Sequence, residues 1–302
     1  MLVDILFIAG GGALLYLGGN WLVDGVSGLA LGLRVPPVMV ALIVVGFGTS
    51  APELVVAINA MLAGSPDIAL GNVIGSNIAN LLLVLALAAL VTPIIIDRHI
   101  LRFDGTAMVI AALALWLTAY DGATTRLDAG LLFLGMLAYL GLRWRSLADE
   151  AELDFSKTGM LQTLGLTVAA LIALPVGSHM FVGGAANMAA TLGVSEAIIG
   201  LTVVAIGTSL PEIATCLAAA MRKQVDTLLG GVLGSNVFNS SVVVTGASLV
   251  GAIPIATVFQ TFWLPIMVGA SLVTIFFLRT GFQLSRLEAT LMLALYGGIF
   301  LL

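Results

Sequence analysis

Long apolar segments set the strongest limit on how this chain can fold. Nine of them are separated by short clusters of charged residues, glycine or proline, and a tenth, about Ala129–Leu142, is shorter. A membrane-spanning helix needs about 20 mostly apolar residues, a length that several segments reach by extending into glycine-rich flanks. The sequence therefore predicts an all-α membrane protein with ten transmembrane helices. The nine segments are Leu2–Tyr16, Val38–Ala63, Leu81–Ile96, Ala107–Ala119, Leu161–Leu174, Ile198–Met221, Val242–Pro254, Phe259–Leu278 and Leu287–Leu302.

The composition is typical of an integral membrane protein. Only 9% of the 302 residues are charged, against about 25% in soluble domains, and 60% are hydrophobic. A soluble chain this apolar would aggregate. The net charge of −5 indicates no surface for nucleic acid. No cofactor and no obligate protein partner is expected, and the lipid bilayer is the expected surrounding.

The positions of lysine and arginine predict the orientation in the membrane. On the ten-helix map only Arg126 lies on one side, and the other ten basic residues lie on the opposite side. Basic residues are enriched in cytoplasmic loops, so both termini are predicted to be outside the cell membrane. The ten are Arg34, Arg98, Arg102, Arg143, Arg145, Lys157, Arg222, Lys223, Arg279 and Arg286.

A hydrophilic stretch near the middle divides the chain into two halves. Residues 143–158 are predicted to form a cytoplasmic connector between five helices in 1–142 and five in 159–302. Ala41–Asn80 aligns without gaps onto Gly200–Asn239 at an offset of 159, with 17 of 40 positions identical. Because each half has an odd number of helices, the second half enters from the opposite face. This inverted repeat predicts a ligand site near mid-membrane where the halves meet.

Each repeat contains the pattern Gly-Thr-Ser-x-Pro-Glu inside an apolar segment. Its acidic residues are Glu53 and Glu212, preceded by Pro52 and Pro211. Proline lacks an N–H and its ring crowds the carbonyl four residues earlier, so the helix is expected to break there. Irregular backbone is tolerated at membrane depth where it lines a site, and a cation bound to freed carbonyls would satisfy it.

The two glutamates make cation binding the favoured interpretation. An ionised carboxylate at mid-membrane costs roughly 2.5–3.5 kcal/mol on insertion scales, and two facing each other also repel. One Ca²⁺ or two Na⁺ would neutralise the pair, with hydroxyl and carbonyl oxygens completing a shell suited to hard cations. The nearby hydroxyls are Thr49, Thr208, Ser50 and Ser209.

A second repeated pattern, Gly-Ser-Asn-x-x-Asn, follows each glutamate. Ser76 and Asn80 are four residues apart and share one helix face, as do Ser235 and Asn239. Neighbouring glycines would let these helices approach the broken ones closely. Four helices could then bring these side chains together with the glutamates. The alternative for each single Ser, Thr or Asn is an ordinary hydrogen bond between helices.

These paired motifs, in the same order in both halves, resemble the α-repeats of the cation/Ca²⁺ exchanger superfamily, in particular its prokaryotic Na⁺/Ca²⁺ exchanger branch. The α-repeats would span about 36–92 and 195–251. The resemblance implies that Glu53 and Glu212 ligate both Ca²⁺ and Na⁺, with Thr49 and Thr208 at the central Ca²⁺ site and Asn80 and Asn239 beside it. It further implies two flanking Na⁺ sites, one with Ser50, Ser76 and the Gly46 carbonyl, the other with Ser209, Ser235 and the Ala205 carbonyl.

The expected function is secondary active antiport of Na⁺ against Ca²⁺ by alternating access, with the glycine-rich first and sixth helices as sliding elements. The resemblance suggests three Na⁺ per Ca²⁺, which the sequence does not fix. An H⁺/Ca²⁺ antiporter on the same scaffold is the main alternative. A passive channel is disfavoured, since opposed carboxylates bind tightly. An intramembrane protease is also disfavoured because no Ser/His or paired-Asp arrangement occurs within the helices, so no enzyme activity is expected.

Overall fold

The computed structural model describes residues 1–148, 159–194 and 205–299, and helices dominate all three parts. We number the helical rods in chain order and treat short interruptions as part of a rod. They are α1 (Leu2–Leu33), α2 (Pro37–Leu62), α3 (Pro66–Val91), α4 (Arg98–Thr118), α5 (Arg126–Ala148), α6 (Met160–Thr191), α7 (described as Ala205–Gly207 and Leu210–Met221), α8 (Val225–Val250), α9 (Phe259–Arg279) and α10 (Arg286–Ile299).

Eight of these rods, within the described ranges, are long and apolar enough to cross a membrane. The other two are α7, described for part of its length, and the 14-residue α10. Helix α5 runs on to Ala148, so Arg143 and Arg145 lie in its last turns and not in a loop. The rest of the predicted connector, 149–158, falls outside the described residues. These helices make the chain an integral membrane protein.

Two rods are broken where the sequence places proline. In α2 one helical segment ends at Thr49 and the next begins at Ala51, with Ser50 at φ −87° and ψ 1° between them. In α7 the corresponding residue, Ser209, has φ −89° and ψ 2°. Neither pair of angles fits a continuous helix. The expected interruptions are therefore present in both rods.

Helices α3 and α8 form the centre of the protein. Nearly all of α8 and most of α3 are buried, although both are rich in small and polar residues. Each changes to a wider π-helical turn at the final asparagine of its motif, over Asn80–Val84 in α3 and Asn239–Val243 in α8. Such turns occur mostly as local bulges in α-helices and often at functional sites.

Four two-residue strands add to the all-helical architecture predicted from the sequence. Ile94–Ile95 pairs antiparallel with Gln283–Leu284, and Ala123–Thr124 pairs antiparallel with Ile253–Pro254. They lie in the links between helices, where main-chain groups have no helical partner and pair with each other. An apolar-run analysis does not detect elements this short.

Helices α1 and α6 pack against each other along their length and run antiparallel. An added Cβ at Gly11 would lie 2.6 Å from the Gly177 carbonyl oxygen, and one at Gly25 would lie 2.3 Å from the Thr167 hydroxyl. Residue numbers thus rise on one helix as they fall on the other. Small residues permit such close backbone contact in a membrane, where packing and not the hydrophobic effect holds helices together.

Candidate functional site

Both glutamates lie in the first helical turn after a break. Glu53 follows Ser50 in α2, Glu212 follows Ser209 in α7, and the two side chains are 0% and 3% exposed. Proline suits the first positions of a helix, where no N–H is needed, so the sequence starts a new helix beside each acid. The break leaves the carbonyl end of one helical segment close to a carboxylate. That combination of oxygens suits a cation.

Glu53 has polar contacts with α3. The Ser76 hydroxyl donates to its Oε1 atom at 3.4 Å, while Oε2 has no hydrogen-bond partner among the described residues. Asn72, one turn before Ser76, donates from Nδ2 to the Glu53 backbone carbonyl at 3.2 Å. The carboxylate is thus held by one weak hydrogen bond and keeps most of its acceptor capacity.

Glu212 has even fewer partners. Neither of its carboxylate oxygens has a hydrogen-bond partner within the described ranges, and no described basic residue forms a salt bridge with Glu53 or Glu212. The Glu53 charge acts directly on Glu212, and the Thr49 side chain lies close to the same carboxylate. The structure therefore brings the two acids and Thr49 to one place.

A contact between α2 and α8 closes the site on one side. The Thr49 hydroxyl donates to the Val45 carbonyl at 2.9 Å and lies 3.3 Å from the Ser235 hydroxyl. One turn before Thr49, Gly46 lies against Gly234, where an added Cβ would come within 2.9 Å of backbone carbon. Glycine at this crossing is what allows the two polar side chains to meet.

The two asparagines bridge the halves of the chain. The π-helical turn that begins at Asn80 packs against the Glu212 segment of α7, and the turn that begins at Asn239 packs against the Glu53 segment of α2. Both amides are buried, and none of their side-chain atoms has a hydrogen-bond partner among the described residues. Each asparagine thus lies beside the glutamate-bearing helix of the opposite repeat.

The other predicted residues occupy the broken segments. Ser50 and Ser209 are buried at the two breaks, and Thr208 beside Ser209 is half-buried. Ala205 begins the described part of α7, and only its backbone is described. Among the described residues, no side-chain hydrogen bond joins Ser50, Ser209 or Thr208 to a glutamate.

Unpaired polar atoms are concentrated at this site. Of fourteen buried side-chain atoms that lack a hydrogen-bond partner in the described ranges, nine belong to predicted site residues. Buried polar atoms are almost always paired, because an unpaired one costs free energy. Most of these nine are oxygens, and a hard cation would use them as ligands. The nine lie on Ser50, Glu53, Asn80, Ser209, Glu212 and Asn239.

Two side chains that were not predicted from the sequence support the breaks. The Ser178 hydroxyl of α6 donates to the Gly207 carbonyl at 2.6 Å, so this carbonyl, which Pro211 leaves without its helical partner, is already paired. Asn72 supports the Glu53 backbone in the same way. Asn72 shares the face of Ser76 and could have been found by helical spacing. Ser178 belongs to neither motif, and nothing in its local sequence signals the contact.

A buried ion pair outside this site was also missed. Arg143 in α5 contacts Asp104 in α4 at 2.9 Å, and both side chains are almost completely buried. The Tyr139 hydroxyl donates to the same aspartate at 2.9 Å. From the sequence, Arg143 was predicted to lie in the connector. The structure instead uses this pair to join α4 to α5 inside the protein.

Known proteins resemble this chain over nearly its whole length. The family profile described as "Sodium/calcium exchanger protein" matches residues 3–145 and 162–302. A putative antiporter, CaxA, from Alkalimonas amylolytica is 35% identical over 79% of this chain and 78% of its own length. An uncharacterized membrane protein of Methanocaldococcus jannaschii, MJ0091, is 33% identical over 94% and 92%. A solved structure of the sodium-calcium exchanger NCX_Mj superposes with a TM-score of 0.86 at 31% identity, covering 98% and 97% of the two chains.

Fold and site together define a helical membrane transporter whose buried acids have no basic partner in the part of the chain that the structure describes. Among such transporters, the sequence and structural matches point to the sodium/calcium exchangers. The chain belongs to the sodium/calcium exchanger family, in the prokaryotic branch of the cation/Ca²⁺ exchanger superfamily, whose members are cation/Ca²⁺ antiporters.

Proposed function

We propose that this protein exchanges Na⁺ for Ca²⁺ at a single mid-membrane site built around Glu53 and Glu212. The observation that carries the proposal is the pair of buried, mutually interacting carboxylates without a basic partner in the described chain. Such a pair is stable in a membrane when its charge is cancelled by mobile cations. The family and the name of NCX_Mj support Na⁺ and Ca²⁺ as those cations.

The proposed ligands follow from chemistry and position. Glu53, Glu212, Thr49 and Thr208 would hold Ca²⁺ at the centre, with Asn80 and Asn239 beside it. Oxygen ligands of this kind suit hard cations, and the orphaned oxygens at the breaks support the assignment. Na⁺ would bind the same carboxylates and two flanking groups. These groups are Ser50, Ser76 and the Gly46 carbonyl, and Ser209, Ser235 and the Ala205 carbonyl.

The architecture we propose is two inverted five-helix halves, α1–α5 and α6–α10, joined by a cytoplasmic connector that follows the described end of α5 at Ala148. The antiparallel packing of α1 on α6 supports it, since these are the first helices of the two halves. The strand pairs support it too, because an offset of 159 relates Ile94 to Ile253 and Thr124 to Gln283, and each strand pairs with one from the other half. Basic-residue placement favours both termini outside the plasma membrane.

Alternating access would follow from competition for two charges. Na⁺ and Ca²⁺ cannot both neutralise the same carboxylates, so loading one releases the other. Only a site whose charge is neutralised can be enclosed in the apolar interior, between the two access states, at a low cost in free energy. Helices α1 and α6, which pack closely against each other through glycines, would slide together against the site to change access. With three Na⁺ per Ca²⁺, each cycle would move one charge, worth about 2.3 kcal/mol per 100 mV.

Flux measurements in proteoliposomes test this function against proton coupling. ⁴⁵Ca²⁺ uptake should follow an outwardly directed Na⁺ gradient at constant pH. Uptake driven by a pH gradient, with none under the Na⁺ gradient, would assign the chain to the H⁺/Ca²⁺ antiporters. Membrane potential should change the Na⁺-driven rate if the cycle is electrogenic.

Variants of the two acids test the site. Glu53→Gln and Glu212→Gln should each abolish Na⁺-driven Ca²⁺ uptake, because an amide cannot neutralise a cation. Glu288→Gln is the matched control: this glutamate caps the first turn of α10 through Ser285, away from the site, and uptake should persist. Full uptake by either site variant would contradict the proposed ligand set.

A further inference from the structure

A lateral groove between α4 and α5 has the features of a lipid site. The α4–α5 groove has a volume of about 530 Å³ and runs from Arg102 and Leu142 at one mouth to Thr118 at the other. Its floor is formed by α8 at Val237, Ser240 and Ser241. Arg102 and Thr118 are sixteen helical steps apart, about 24 Å, so an acyl chain from one leaflet, about 15 Å of hydrocarbon, fits within the length of the groove.

The groove opens towards the hydrocarbon of the membrane. Large apolar side chains on its two walls are far from covered: Ile110 is 59% exposed, Leu117 73% and Leu131 58%. These walls belong to two membrane-spanning helices. A side opening at this depth meets lipid and not water.

The polar atoms on the floor and walls are satisfied within the protein. The Ser240 hydroxyl accepts a hydrogen bond from Asn77 Nδ2 at 2.8 Å, and the Ser241 hydroxyl donates to the Val237 carbonyl at 2.5 Å. The Tyr139 hydroxyl donates to Asp104. What remains for an occupant is an apolar channel, which suits an acyl chain and offers little to a hydrophilic ligand.

One mouth of the groove is cationic. Arg102 is exposed there and forms no hydrogen bond or ion pair with any described residue, unlike Arg143, which Asp104 neutralises. Thr106, four residues later, adds a hydroxyl on the same face. An arginine is a strong ligand for phosphate oxygens because its planar donors fit them. From this charge complementarity we propose that the α4–α5 groove binds an anionic phospholipid, with its phosphate at Arg102 and one acyl chain along the α8 floor.

The other half of the chain provides an internal comparison. A groove of about 330 Å³ between α3, α9 and α10 has Ile78 at its base, the position that corresponds to Val237 in the repeat. Phe259, Trp263 and Tyr296 line it, and none of the described residues that line it is charged. It could admit an acyl chain, but the described part of its lining offers no cation to select an anionic headgroup. The charge preference is therefore expected of the α4–α5 groove.

Native mass spectrometry of the purified full-length protein tests the proposal. The probes are dioleoyl phosphatidylglycerol and dioleoyl phosphatidylcholine, which share acyl chains and differ in headgroup charge. The wild type should retain the anionic lipid about fivefold more than the neutral one. Arg102→Gln should remove that preference and Arg102→Lys should keep most of it. Arg279→Gln, at an exposed arginine outside the groove, is the control and should leave the preference intact.

A second variant tests the groove itself. Gly135 lines it with open space where a Cβ would point, so Gly135→Phe should fill it and cut retention of the anionic lipid. Gly141→Phe, at an exposed glycine of the same helix outside the lining, should not. Equal retention of both lipids by the wild type, or an unchanged preference in Arg102→Gln, would overturn the proposal. So would a dimer that Gly135→Phe dissociates, because a second copy would then cover the groove.

Discussion

The α2 break and the α7 break have the same local sequence but different surroundings. At the α2 break, Thr49 is buried against Ser235, and Glu53 is reached from α3 by Ser76 and Asn72. At the α7 break, Thr208 is half-buried, and the Gly207 carbonyl is held by Ser178 of α6. These supporting residues are not repeated. At the offset of 159, Gly19 of the first half corresponds to Ser178, and Gly231 of the second half corresponds to Asn72.

This difference shows how a repeated motif can lie in two different surroundings, as a site that opens to one side of the membrane at a time requires. A transporter that alternates between two faces must enclose its site differently on each side at any moment. Here the residues with formal charge repeat, whereas the uncharged residues that hold the backbone do not. The two breaks can therefore share the proposed ion ligands while their backbones are supported by different hydrogen bonds.

Removing either charge should have the largest effect, and it should be alike at both breaks. Glu53→Gln and Glu212→Gln should each lower the Ca²⁺ uptake rate by about 100-fold or more, corresponding to about 2.7 kcal/mol. Initial rates in proteoliposomes measure the effect. A loss confined to one of the two glutamates would show that the breaks differ in ion chemistry and not only in support.

The second-largest effect is expected from a bulkier residue where α1 packs against α7, next to the α7 break. A Cβ at Gly19 would lie 2.6 Å from the Ala214 carbonyl oxygen, so Gly19→Ala must push α1 from α7. Overpacking of this kind costs about 1–3 kcal/mol. The midpoint temperature of thermal unfolding in detergent and the rate of Ca²⁺ uptake should both fall. At Gly12 the nearest atom would be 3.9 Å away, so Gly12→Ala should behave as wild type. A harmless Gly19→Ala would contradict the close α1–α7 contact.

Loss of the Ser178 hydroxyl should weaken the α7 break specifically. Ser178→Ala would leave the buried Gly207 carbonyl without its donor, at a cost of about 1–3 kcal/mol. The melting temperature and the Ca²⁺ dependence of uptake measure it. Ser271→Ala is a suitable control, because that buried hydroxyl donates only to a carbonyl of its own helix, at Met267. If both variants lose the same stability, the Ser178 contact has no special role.

The smallest effect is expected at the backbone of the α2 break. Asn72→Ala should cost about 0.5–1.5 kcal/mol, since it removes a single 3.2 Å hydrogen bond to the Glu53 carbonyl. A modest rise in the Ca²⁺ concentration for half-maximal uptake should accompany it. The exposed Asn59 of α2 supplies the control Asn59→Ala. An unchanged Ca²⁺ dependence in Asn72→Ala would mean that this bond does not position the carboxylate.

Much of the architecture could be predicted because lipid imposes simple rules. Apolar length located the spanning helices, and the prolines at 52 and 211 located the breaks that Ser50 and Ser209 now mark. Helix ends were less accurate: α5 continues through Arg143, since a buried partner, Asp104, removes the cost of an arginine inside the protein. The four short strands could not be predicted from the sequence, because each forms only where two distant links between helices lie side by side.

The sequence by itself determined the membrane class, the two helix breaks and the repeated set of acids, hydroxyls and amides, because these follow from hydropathy, proline chemistry and spacing along one helix. Only the tertiary structure decided which α-helix lies against which break. Ser178 reaches Gly207, Thr49 meets Ser235, and Arg102 is exposed at a groove mouth, although none of these pairings or exposures is local in the chain. Such features depend on helix crossings, which no spacing rule within one helix can specify.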